Sequence, residues 1–109
     1  MTITISKKLL TYLQKKEICQ LIAKVSFFTE GCVLIKEPKI IAYSQDDEEK
    51  IHDSEKIDED SLILHFTKEY RDIFGKDDLY QLDLGGTFSK KIMLKNIQPK
   101  LIRTCKMDD

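Results

Sequence analysis

There is no tryptophan in this chain of 109 residues, and only two prolines, four glycines and three cysteines. So little Gly and Pro leaves no material for a long linker, and no internal repeat is visible. Long apolar runs are missing too. Val25 to Phe28 and Val33 to Ile35 are each broken by Ser or Lys within a few residues, so no membrane-spanning helix is expected. The opening Met-Thr-Ile-Thr-Ile-Ser has neither a basic nor an apolar signal region, and a secretory leader is not expected. CxxC, HxxxH, GxGxxG, GxxxxGK[ST] and GxSxG are all absent. That removes the sequence marks of zinc sites, phosphate loops and the hydrolase nucleophile turn. The chain is not expected to be an enzyme.

What is present is enough for one core. Apolar residues make up 41% and charged residues 34%, with a formal net charge of −1. That balance excludes disorder over the whole length. A chain this long buries about 60–65% of its unfolded surface, and residues 1–109 read as a single domain. Charge is uneven. Residues 45–60 hold nine acidic residues and two lysines, while the remainder carries sixteen Lys/Arg against ten Asp/Glu. The acidic block is expected to be a mobile, solvated loop. Its shortening is expected to change stability by less than about 1 kcal/mol, because loop-closure cost varies slowly with length. The lysines come in scattered pairs (Lys7-Lys8, Lys15-Lys16, Lys90-Lys91) rather than one basic face. No nucleic acid partner is therefore expected.

The apolar periodicities give the elements. Ile3 and Ile5 alternate in a short strand; Ser6 then caps a helix over about 7–16 with Leu9, Leu10 and Leu13 on one stripe. From 18 to 28 a strand places Cys19, Leu21, Ala23, Val25 and Phe27 on one face. Thr29 to Cys32 is a turn, Val33 to Ile35 an extended piece, Pro38 a break, and 39–44 a further strand. Beyond the acidic block, 61–66 alternates. Thr67 caps a short helix to Phe74, stopped by Gly75. Tyr80, Leu82 and Leu84 share a strand face before a bend at Gly85-Gly86. Ile92 to Leu94 and 96–102 finish the strands, and 103–109 is a polar tail. The fold class is α+β and β-rich: a sandwich of short, mostly antiparallel strands with two short helices.

Three stretches carry a resemblance: ITISKKLLTYL at 3–13, the strand ending TEGC at 29–32 with Glu37-Pro38 beyond it, and DDLYQLDLGGTFSKKIML at 77–94. Together they resemble the small HesB-like proteins, relatives of the A-type iron–sulfur cluster carriers. The resemblance implies a HesB-like β-sandwich and chemistry of iron or an iron–sulfur cluster at the turn cysteine, here Cys32. In one HesB-like subgroup a second cysteine or selenocysteine follows; this chain has Val33. The cluster carriers' C-terminal Cys-Gly-Cys is also missing, with only Cys105 in the tail.

An odd number of cysteines with no leader points to free thiols in a reducing cytoplasm. Cys32, beside Gly31 in a turn, is placed where backbone N–H groups can favour a thiolate. Cys105, in the tail, is a candidate to join it in a metal site or a disulfide, and the spacing of 73 does not choose between them. Cys19 reads as core packing. His52 and His65 read as surface groups, and Asp46 to Glu49 lack the pattern of a calcium loop. Two functions follow as expectations. One is metal, iron–sulfur or thiol-redox handling through Cys32 and Cys105, with a homodimer to complete a ligand set. The other is a non-catalytic interaction module whose acidic block meets a protein partner.

Overall fold

Ser6 opens the first helix as its position predicts, its hydroxyl accepting from the Leu9 backbone N–H and satisfying one of the orphan donors of a helix start. The computed structural model describes residues 2–57, 61–86 and 89–105. Strand β1 (Thr2–Ile5) leads into helix α1 (Lys7–Lys15), whose Leu9 and Leu13 are buried. Strands β2 (Gln20–Glu30) and β3 (Val33–Ala42) form a long antiparallel hairpin. Gly31 turns it at φ +61°, a conformation glycine adopts without steric cost. A 3-10 helix over Gln45–Lys50 precedes β4 (Ile51–Ile57), then come β5 (Leu62–Thr67) and helix α2 (Lys68–Phe74). Strands β6 (Leu79–Gly85), β7 (Lys91–Leu94) and β8 (Lys100–Arg103) follow.

The eight strands of the described residues lie in one sheet of order β1-β6-β7-β3-β2-β5-β4, with β8 added to β3. The sheet curls into a nearly closed barrel. The α+β, strand-rich reading holds at that level. The sheet is mixed: β1 pairs β6 and β2 pairs β5 in parallel, while the other five pairings are antiparallel, as expected for most of the strands. Alternation shows which residues share a face but not which strands are neighbours. Both parallel partners are far apart in the chain, as a parallel pair requires.

The core takes every second residue of its strands, as a half-buried strand must. Leu21 and Ala23 from β2, Leu62, Leu64 and Phe66 from β5, and Tyr80, Leu82 and Leu84 from β6 meet Leu9 and Leu13 of α1. Thr67 caps α2 by accepting from the Tyr70 N–H, and Gly75 follows with φ +72°.

Three expectations are corrected. The acidic segment is not an open loop over 45–57. Its first part is helical, and Ile51–Ile57 pairs with β5 in an antiparallel ladder. Isoleucines at both ends of that strand suit it, and Ile57 is buried. Asp47 is buried too, ion-paired to Lys24 at 2.6 Å. Residues 58–60 lie outside the described residues. Second, Pro38 does not break β3. It pairs with Val25 on one side, and on the other falls between Lys36, the last partner of β8, and Ile40, the partner of β7. A missing N–H is tolerated where a strand has no neighbour. Third, the last strand is shorter than 96–102 and reaches Arg103, inside the expected tail; 106–109 lie outside the described residues.

Candidate functional site

Beyond Val25 the β2–β3 hairpin leaves the core. Residues Phe27 to Glu30 of β2 and all of β8 are exposed, and the molecule measures 55 × 32 × 28 Å. The outer halves of β2 and β3 with β8 make a three-stranded arm. Its cross-strand rows are fixed by register. Glu30, Val33 and Arg103 form one, Thr29, Leu34 and Ile102 the next, then Phe28, Ile35 and Leu101, then Phe27, Lys36 and Lys100.

That register brings the cysteines together. Val33 lies opposite Arg103, so the residue before Val33 and those after Arg103 meet at the arm's tip. The Thr104 N–H donates to the Cys32 carbonyl at 2.7 Å, and Cys32 and Cys105 are joined in a disulfide with Cα atoms 4.9 Å apart. The expectation of three free thiols is therefore corrected. Sequence spacing could not show the pairing, because the pairing depends on how β8 registers on β3. Cys19 is the remaining free cysteine and is exposed. The core position expected for it is overturned, because β2 begins one residue later, at Gln20.

The residues do not fit an iron–sulfur cluster within one chain. Among the described residues no group of three or more His, Cys, Asp or Glu side chains is placed to hold a metal ion. Cys32 and Cys105 offer two thiolates only when reduced, where a cluster takes four cysteines. Three of the acidic side chains in the segment are taken up by internal pairing. Asp47 binds Lys24, Asp53 binds Arg71 at 2.7 Å, and Glu55 reaches Lys76 at 4.0 Å.

The structure also assembles a polar chain that the sequence did not reveal. Ser54 Oγ lies 2.6 Å from His65 Nδ1, and His65 Nε2 lies 2.8 Å from Gln20 Oε1. Burial lowers the His65 pKa and favours a neutral ring; because Gln20 Oε1 can only accept, Nε2 carries the proton and Nδ1 accepts from the Ser54 hydroxyl. Tyr43 packs on the same ring at 4.7 Å between centroids. A hydroxyl on a neutral imidazole is the first half of a general-base pair. Here the chain ends at an amide and stands on the sheet surface, where it ties β4, β5 and β2 together. Only the pairing of Ser54 opposite His65 could have announced it. His52 is exposed and lies two residues before Ser54.

A groove of about 420 Å³ opens where β7 and β8 separate along β3, lined by Pro38, Ile40, Ile92, Leu94, Ile97 and Pro99 among others. Among the described residues no helix is long and apolar enough to cross a membrane. The chain matches no family model, no curated protein and no solved structure.

Proposed function

We propose that the protein is a small, cytoplasmic, non-catalytic thiol-redox protein on a HesB-like scaffold, with the Cys32–Cys105 pair as its working group. A single observation carries this reading. Two cysteines 73 residues apart stand 4.9 Å apart between Cα atoms at the exposed end of an arm, away from the core. Both cysteines are exposed there, and an exchanging disulfide needs that access. In a reducing cytoplasm such pairs are transient rather than permanent.

The chemistry is thiol–disulfide exchange. A donor thiolate attacks one sulfur of the pair and expels the other as a thiolate, giving a mixed disulfide. A second donor thiol resolves it. The balance is one protein disulfide and two donor thiols giving two cysteine thiols and one donor disulfide. No step passes through a metal. The HesB-like likeness rests on the three stretches of the sequence that carry it.

Titrating the protein against glutathione redox buffers and trapping free thiols measures the reduction potential. A value between about −180 and −300 mV, where glutathione and protein dithiols exchange, is expected. A potential below about −300 mV would mark a structural disulfide and overturn the proposal.

A further inference from the structure

We propose that the outer face of the arm is an interface between two copies of this chain, packed face to face about a two-fold axis that runs along the strands. Six large apolar side chains stand exposed among the described residues, and four of them, Phe27, Phe28, Leu101 and Ile102, lie on this arm. Exposed apolar patches of this kind mark interaction surfaces. The two faces differ in what could cover them.

The inner face continues the core side of the sheet and bears Phe27, Leu34 and Ile102. It has a neighbour within the chain, since Lys100 donates to the Ile73 carbonyl of α2 and lies over the Phe74 ring. Lys36 and Lys100 also share one row there, so two copies stacked on this face would set cation against cation.

The outer face bears Phe28, Ile35 and Leu101 in one row, with Phe28 43% and Leu101 66% exposed. The next row outward on this face is Glu30, Val33 and Arg103, with the acid on one edge strand and the base on the other. Among the described residues no ion pair involves Glu30 or Arg103. A two-fold axis along the strands keeps each row facing itself and exchanges the edge strands. Glu30 of each copy then meets Arg103 of the other, Phe28 meets Leu101, and Ile35 meets Ile35. One apolar row and two symmetric ion pairs are satisfied by a single operation, as an isologous interface requires. Glu37 on the central strand meets its own copy, and Lys39, two residues along on the same face, is within reach to neutralise it.

This interface does not depend on the redox reading, and its test uses the full chain kept oxidised, with β8 pinned by the disulfide. Sedimentation velocity over a concentration series reads the dimer constant. The wild type is expected to dimerise, and Leu101→Lys to leave monomers. Glu30→Arg and Arg103→Glu are each expected to weaken association by about tenfold or more, since like charges then oppose. The double variant carrying both reversals restores the pairs with their signs exchanged and should return to within about threefold of wild type. Lys36→Glu, on the inner face, should change nothing. A wild type that stays monomeric at about 100 μM, where a dimer constant of about 10 μM or tighter would show, overturns the proposal. So does a double variant that remains as weak as the single ones, or a Lys36→Glu variant that abolishes the dimer.

Discussion

Arg71 shows how much of this fold one side chain organises. It sits on the seven-residue helix α2, yet its guanidinium makes two bonds to Asp53 of β4 at 2.9 and 2.7 Å. It also donates to the Gly75 carbonyl and to the Tyr80 hydroxyl, and lies 3.6 Å from the centroid of the Phe66 ring. A planar fork over an aromatic face suits Arg and not Lys. The Arg71 hydrogen bond holds the Asp53 carboxyl below its ordinary pKa, against a smaller opposing effect of burial. With the folded value depressed, Asp53 stabilises the protein above the ordinary carboxylate pKa near 4, and that contribution is lost as pH falls through the folded value. Asp53→Asn is expected to cost about 2 kcal/mol at pH 7, because it leaves the buried cation without its counter-charge. The variant should lose less than wild type between pH 5 and 2, and urea unfolding across that range measures both effects. An acid limb as steep in the variant as in wild type would remove Asp53 from the account.

Among the elements, β4 departs furthest from what its composition implied. Residues 45–57 are crowded with charge, and composition alone reads them as solvated. Three of the acids are instead paired within the fold, Asp47 of the 3-10 helix with Lys24, and Asp53 and Glu55 of β4 with Arg71 and Lys76. Polar residues along an outer strand also discourage pairing with other chains. β4 covers β5 from Leu62 to Thr67, and Ile57 contributes to the core. Replacing residues 45–57 by a short Gly/Ser turn is therefore expected to lower the thermal midpoint by more than about 15 °C, a loss of roughly 3 kcal/mol or more. The earlier expectation of a nearly neutral deletion applies only if that midpoint moves by a few degrees.

At the scale of the whole molecule, a barrel-like body carries an arm whose end is closed by a covalent bond. β8 is exposed along its length and is held to β3 by four residue pairs. The Cys32–Cys105 bond closes a loop of 73 residues. Chain-entropy arguments give a bond of that span about 4 kcal/mol of stabilisation, acting mainly by restricting the unfolded chain. Thermal unfolding with and without reductant should differ by about 15–30 °C. A difference under about 5 °C would mean that the unfolded chain is little restricted by the bond. Amide exchange adds the spatial detail, with protection of Leu34 to Lys36 expected to fall on reduction before that of the core strands.

The sequence by itself determined the local structure. Ser6 and Thr67 as caps, Gly75 as a stop, and the alternations Leu62-Leu64-Phe66 and Tyr80-Leu82-Leu84 all act within a few residues, through hydrogen bonds and face periodicity that neighbours in the chain can set. Tertiary structure decided everything that depends on register between distant strands. The parallel pairings, the ladder that turns a charged stretch into β4, the Ser54–His65–Gln20 chain and the meeting of Cys32 with Cys105 are of this kind. From the sequence alone the missing N–H of Pro38 implies a break, because only the structure shows that β3 lacks a partner on one side at that position. Cys19 falls outside the core because the strand starts at Gln20, two residues later than the alternation over 18–28 implies. A side-chain period of two places a residue on a face, but only the partner strand decides what stands opposite it.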